Sequence, residues 1–223
     1  MSKWKFKLNK FYHYIFGEKF FKKINFNWNK YPSRLEILQK IILRKKYKSY
    51  LEIGCDENKL FSKIKIENKI GIDPKQGGTI RITSDDFFKI NNKKFDIIFI
   101  DGLHEFDQVR RDINNSLLSL NEGGVIFLHD CMPASYLRQA VPRSVGSWNG
   151  DVWKNIVEIR TKKDLDTYVC YADNGLGFIL KRPNQNLLIL NIKDFKKLKF
   201  KNFYYNYKNY LNVVFEKDIN KIF

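Results

Sequence analysis

The chain has 223 residues and a formal net charge of +17, which is length enough for one α/β domain with its own core. With 43% hydrophobic and 29% charged residues it is not a disordered chain. Its cysteines, Cys55, Cys131 and Cys170, form no CxxC pair, which argues against a disulfide framework or structural zinc site and fits a reducing, cytoplasmic setting. No apolar run approaches the ~18–20 residues of a membrane span, and Lys3, Lys5 and Lys7 interrupt the first apolar residues, so no signal peptide is expected.

The charge is unevenly placed. Residues 1–48 hold 14 Lys and Arg against 2 Asp and Glu, residues 49–183 hold 19 of each, and residues 184–223 hold 8 against 3. This partition marks a basic aromatic N-terminal segment (1–32), a neutral domain (33–183) and a basic aromatic C-terminal appendage (184–223). In the first segment Trp4, Leu8, Phe11 and Ile15 recur at i, i+4, i+7 and i+11, one face of a helix, with Lys5, Lys7, Lys10 and Lys19 around it. Such a helix can pack on the core, or it can rest on an anionic membrane surface.

Pro32 ends this segment, and Ser33 with Glu36 forms a capping box for a helix running to about Lys46, with Leu35, Leu38, Ile41 and Ile42 on its buried face. Ser49–Gly54 reads as a strand, Glu57–Ile64 as a short helix, Lys69–Asp73 as a strand and Thr79–Thr83 as another. Ser84 then caps a helix over Asp85–Ile90. Phe95–Asp101 is a buried strand, Glu105–Leu120 a helix, and Gly123-Gly124 turns the chain into a further strand, Val125–Asp130. A long loop follows, with Trp148, Asn149, Gly150, Asp151 and Trp153 offering faces for a sugar, and Arg138 and Arg143 offering charge to an anionic substrate group. Asp151 caps a helix to about Arg160. Strands Thr167–Ala172 and Gly177–Lys181 flank Asp173-Asn174-Gly175, a hairpin signal. Strands alternating with helices predict a doubly wound, mostly parallel seven-stranded α/β sheet with helices on both faces and an antiparallel hairpin at its end.

Ligands of such sheets bind beyond the carboxyl ends of the strands. Those ends read Gly54, Asp73, Thr83, Asp101 and Asp130, with His104 and His129 beside the last two. Gly54 lets the backbone turn and approach a ligand. Asp73, 19 positions later, can accept both hydroxyl protons of a ribose. A dinucleotide would call for further glycines, and Asp56 and Glu57 would repel a pyrophosphate. A phosphate-free cationic adenosine cofactor fits better. S-adenosylmethionine has those properties, its positive groups suiting Glu52, Asp56 and Asp101.

These motifs resemble the class I S-adenosylmethionine-dependent methyltransferases, nearest to a branch of sugar and macrolide-sugar O-methyltransferases. Leu51-Glu52-Ile53-Gly54 resembles the first motif, Gly71-Ile72-Asp73-Pro74 the acidic second strand end, and Thr83-Ser84-Asp85-Asp86-Phe87-Phe88 the adenine-side motif. Phe95 to Arg110 and Gly123 to Asp130 carry the most specific likeness, which covers about residues 47–183. The first motif lacks its later glycines. The resemblance implies a Rossmann-like fold and a cofactor site at Glu52, Gly54, Asp73, Ser84, Asp85 and Asp101. It further implies a divalent cation, Mg²⁺ by the chemistry, on Asp101 and Asp130, and His104 as general base. The expected reaction is methylation of a carbohydrate hydroxyl, such as a surface-glycan precursor, which a cation acidifies and positions.

The alternatives are a nucleic-acid methyltransferase, a non-catalytic membrane or scaffold module and a nicotinamide oxidoreductase. The neutral middle provides no basic floor for nucleic acid, and Asp73-Pro74 is followed by Lys75 rather than by the signature of amino methylation. The Asp101, His104, Asp130 set argues against lost chemistry, and the Gly54 loop against nicotinamide. The expected partners are a small or glycan acceptor, an anionic membrane met by the basic ends at the inner face, and a second copy of the chain.

Overall fold

A computed structural model describes residues 3–18 and 20–223; Lys19, expected on the flank of the first helix, lies outside the described residues. In chain order the elements are α1 (Lys3–Phe16), α2 (Arg34–Lys45), β1 (Ser49–Ile53), β2 (Asn68–Ile72), α3 (Ser84–Ile90), β3 (Phe95–Ile100), α4 (Phe106–Leu118), β4 (Leu120–Leu128), α5 (Tyr136–Gln139), α6 (Trp153–Ile159), β5 (Asp166–Cys170), β6 (Leu176–Leu180), α7 (Phe200–Tyr210), β7 (Val213–Val214) and α8 (Glu216–Ile222). The strands form one seven-stranded sheet in the order β2-β1-β3-β4-β6-β5-β7. All neighbours are parallel except those of β6, which runs against β4 and β5.

The central strands read as unbroken apolar runs because both faces are covered. Ile98, Ile100, Ile126 and Leu128 point into a core closed by Val109 and Ile113 of α4, Trp153 and Ile156 of α6 and Phe203 of α7. Their neighbours Ile97, Phe99, Val125 and Phe127 point the other way, onto Leu38, Ile41 and Ile42 of α2 and Ile219 of α8. Each such side chain contributes about 1.5–3 kcal/mol on burial. Helix α2 begins at the expected capping box, with Ser33 N donating to Glu36 Oε2 at 2.7 Å and Glu36 N to Ser33 Oγ at 3.4 Å.

Four local expectations give way. Residues 57–64 form turns rather than a helix. Asp56 and Asn58 take left-handed backbone angles (φ 44° and 61°), and Asn58 Oδ1 accepts from Gly78 N at 2.6 Å, which clasps two loops together. Thr79–Thr83 is no strand: only Ile80 bridges Ile72. The seventh strand is instead β7, paired with β5 through Val169 and Cys170. The cap of α3 is Thr83, whose hydroxyl accepts from Asp86 N at 3.1 Å, not Ser84. Asp151 caps the start of α4, where its Oδ1 accepts from Phe106 N at 2.7 Å, rather than its own helix α6.

Glu18 accepts from Phe200 N (2.7 Å) and Lys201 N (2.9 Å) at the start of α7. Phe21, Ile24, Phe26 and Trp28 pack on the α4/α6 side of the sheet. Residues 184–223 bury Phe200, Phe203, Leu211 and Ile219 against the sheet. Among the described residues no helix is long and apolar enough to cross a membrane.

Candidate active site

The carboxyl ends of β1, β2, β3 and β4 open into one cavity of about 770 Å³, which contains all eight candidate site residues. Gly54 follows β1 with φ +86°, and a Cβ there would overlap the Asp101 carbonyl oxygen; only glycine lets the two strand ends approach this closely. Glu52 is 2% exposed and accepts a hydrogen bond from the Tyr50 hydroxyl. Burial pushes its carboxyl up to about 7.

Asp73 ends the neighbouring strand. Its Oδ2 accepts from Asp56 N at 3.1 Å, and its Oδ1 from Lys75 N at 2.7 Å and Gln76 N at 3.1 Å. Partial burial alone would raise its pKa, but the three N–H donors together with Arg81 hold it below the ordinary aspartate value. It is an ionised acceptor with lone pairs left on both oxygens.

At the other end of the cavity Gln108 Nε2 reaches Ser84 Oγ (3.1 Å), Asp85 Oδ1 (3.2 Å) and Asp112 Oδ1 (3.0 Å). The Arg111 hydrogen bond keeps Asp85 below its usual pKa, while burial lifts Asp112 to about 6. Gln108 and Asp112 escaped the sequence reading because they sit on α4, one and two turns past His104, where polar residues read as a solvated face.

The chemical centre lies where β3 and β4 end. The His104 ring sits between two carboxylates, with Nε2 3.1 Å from Asp101 Oδ1 and Nδ1 3.3 Å from Asp130 Oδ2. One donor atom from each of Asp101, His104 and Asp130 falls within 4.8 Å of the others. Asp130 takes φ +60°, a left-handed conformation that aspartate tolerates better than most residues. Burial pushes the His104 charge down, but the hydrogen bond to Asp101 and the charges of both carboxylates outweigh it, and its pKa stands above the ordinary imidazole value. Asp101 is buried as well, yet the charges and hydrogen bonds of His129 and His104 hold it well below the usual carboxylate range.

His129, 6% exposed, places Nδ1 3.1 Å from Asp101 Oδ1 and 3.4 Å from Asp130 Oδ2. Burial disfavours its charge, while the two carboxylates lift its pKa well above the usual value. Arg34 opposes that charge, with Nη1 2.7 Å from Nε2. Nη1 also lies 3.2 Å from Nδ1, and Asp173 Oδ1 is 3.5 Å from Nε2, so the ring is packed between one guanidinium and three carboxylates. Arg34, missed in the sequence, is also 3.8 Å from Asp101 Oδ2 and from Asp173 Oδ2.

The loop after β4 closes over this centre. Trp148 stacks on His104 with ring centroids 5.6 Å apart, and its indole N–H donates to Ala140 O at 2.7 Å. Asn149 Nδ2 donates to Asp130 Oδ1 at 2.7 Å, leaving Oδ2 toward His104. Arg143 lines the cavity and lies over the Trp148 ring, whereas Arg138 is turned to Asn174. Trp153, expected as a sugar-facing ring, is fully buried and bonded to Gln139; it serves the core.

Comparison with known proteins agrees with this fold. Residues 69–131 match a family model described as a methyltransferase domain. No curated protein matches the sequence. Among solved structures, a putative caffeoyl-CoA O-methyltransferase from Staphylococcus aureus superposes with a TM-score of 0.52 at 15% identity, over 81% of this chain and 93% of that one. Cofactor-bound Rv0187 from MTB gives 0.51 at 13% identity, over 79% and 97%. At these identities the structural likeness concerns the fold. The match over residues 69–131 and the shared fold support an S-adenosylmethionine-dependent methyltransferase.

Proposed function

We propose that the protein is an O-methyltransferase acting on a hydroxyl of a carbohydrate, with a divalent cation held by Asp101 and Asp130 and with His104 as the base. The observation that carries this reading is the placement of His104 between those two carboxylates on the floor of the cavity. The Asp101 and Asp130 carboxylates offer hard oxygens suited to Mg²⁺ or Mn²⁺, and a His104 ring nitrogen lies within 4.8 Å of both. Such a cation, when bound, would lower the pKa of an acceptor hydroxyl and orient it.

The chain's own residues supply the rest. Asp73 offers an ionised acceptor to the ribose, and Ser84, Asp85 and Gln108 offer polar groups at the far end of the cavity. Gly54 keeps the cavity floor open. His104 would take the hydroxyl proton as the acceptor oxygen gains the methyl group and the methyl–sulfonium bond breaks to leave S-adenosylhomocysteine, and Trp148 shields the base on one ring face. Arg143 at the rim suits an anionic group on the acceptor. The buried free cysteines support a reducing cytoplasm as the setting.

The test is transfer of the methyl group from labelled S-adenosylmethionine to a panel of nucleotide sugars, lipid-linked oligosaccharides, RNA and DNA, read by mass spectrometry. A methyl ether on a sugar is the expected product. Methylation of an amino group, or transfer to nucleic acid alone, overturns the reading.

A further inference from the structure

Helix α1 is mounted the wrong way round for a helix that packs by its apolar face. It is anchored to the rest of the protein through polar side chains, with the half-buried Phe6 on the same side. His13, 2% exposed, sets Nδ1 3.0 Å from the Tyr136 hydroxyl and Nε2 2.7 Å from the Pro142 carbonyl oxygen. Asn9 Nδ2 donates to Arg143 O at 2.9 Å. Residues along a helix turn by about 100° each, so Trp4, Leu8, Phe11 and Ile15 lie on the side opposite His13. They are 71%, 51%, 61% and 51% exposed. Lys3, Lys7 and Lys10 form one edge of this stripe, and α1 contains no acidic residue. A lone exposed apolar side chain needs no explanation, but a contiguous exposed stripe with a basic edge does.

We infer that the outward face of α1 is a docking surface for an anionic lipid bilayer, and that it brings the loop over the active-site cavity to the membrane. The composition selects the occupant. A second copy packed antiparallel about a two-fold axis would set this lysine edge against itself. Nucleic acid would use the lysines and aromatic rings and leave Leu8 and Ile15 in water. A bilayer takes both, with the apolar side chains in the acyl boundary and the ammonium groups among anionic headgroups. The His13 and Asn9 contacts fall on Tyr136, Pro142 and Arg143, and Arg143 itself lines the cavity. A docked α1 therefore sits beside the cavity rim, the position from which a lipid-borne acceptor is reached. The docking does not depend on what that acceptor is.

The experiment is sedimentation of the whole chain with vesicles of phosphatidylcholine alone and with about one third phosphatidylglycerol. Binding to the anionic vesicles only is expected at ~0.1 M salt, with release at ~1 M as screening shortens from ~10 Å to ~3 Å. Phe11→Ser with Ile15→Ser, and separately Lys3→Glu with Lys7→Glu and Lys10→Glu, should each weaken binding at least roughly tenfold. S-adenosylhomocysteine calorimetry confirms that each variant is folded. Lys93→Glu with Lys94→Glu and Lys163→Glu makes the same charge change elsewhere and should cost far less. The inference is overturned if the chain ignores anionic vesicles, or if the distant lysine set matters equally. It also fails if the α1 variants abolish self-association in sedimentation velocity, or RNA binding, in place of vesicle binding. No acceptor is needed, so such a failure leaves the methyl-transfer reading untouched.

Discussion

Gly150 and His104 meet backbone to backbone: at φ +63° the glycine lies so close that an added Cβ would overlap the His104 carbonyl oxygen. The same carbonyl accepts from Asp151 N at 3.1 Å, and Asp151 in turn caps α4. The loop over the cavity and the segment that carries the base therefore form one mechanical unit.

Replacing Gly150 with Ala attacks that unit twice. The left-handed backbone costs an L-residue roughly 1–3 kcal/mol, and overpacking adds roughly 1–3 kcal/mol. We expect a lower melting temperature and a larger proportional loss in turnover than in cofactor affinity. A variant with wild-type turnover would show that the loop and His104 are not coupled.

His104→Ala should lower turnover by about 10²–10⁴-fold and leave S-adenosylhomocysteine affinity within about twofold, measured by calorimetry. In the wild type a chelator should abolish turnover and Mg²⁺ or Mn²⁺ should restore it, while Asp101→Asn should no longer respond to added metal. Undiminished turnover after exhaustive chelation would reassign Asp101 and Asp130 to the positioning of His104.

Asp73→Asn keeps the shape of the strand end but loses the charge. Removing charged acceptance of two ribose hydroxyl protons should weaken cofactor binding by roughly 2–4 kcal/mol. Urea unfolding should register a smaller loss, because one of three backbone N–H donors to Asp73 loses its acceptor. Unchanged affinity in calorimetry would remove Asp73 from the cofactor site.

Glu52 sets a pH dependence whose sign follows from its burial. An unfolded chain releases this proton near 4.5, whereas the folded protein holds it to about 7. The folded state thus binds more protons between those values, and its stability falls as pH rises through that window, by about 3 kcal/mol in total. Glu52→Gln removes the titration and keeps an acceptor for Tyr50. Denaturant titrations at pH 4.5 and 8 should show the wild type losing more stability than the variant; equal losses would refute the buried, protonated carboxyl.

What the sequence made legible follows from the range of the interactions involved. The capping box at Ser33 and Glu36 is local, and the runs Ser49–Ile53 and Phe95–Ile100 are apolar throughout, so α2, β1 and β3 could be read residue by residue. The strand ends Asp73, Asp101 and Asp130 with His104 share one cavity because a parallel sheet aligns its carboxyl ends. Arg34 and Asp173 were not legible as site residues. One reads as the first turn of a helix and the other as a hairpin residue, and they reach His129 only once α2 and the β5–β6 turn are folded onto the same sheet edge. Residues 57–64 misled for the opposite reason. Their apolar spacing suits a helix, but Asp56 and Asn58 accept left-handed backbone and spend it on clasping the next loop.

Strand β7 and Phe223 have a consequence for how the molecule is made. Ribosomal synthesis delivers the chain from its N-terminus, so the outer edge of β5 has no partner until Val213 and Val214 emerge. Phe127 and Phe178 likewise wait for Phe223, whose ring lies 6.4 Å and 5.4 Å from theirs. During that interval the nascent protein presents an open strand edge beside an uncovered aromatic face, the combination that invites edge-to-edge aggregation. A stalled or C-terminally clipped product would carry the cavity residues yet remain a client of chaperones.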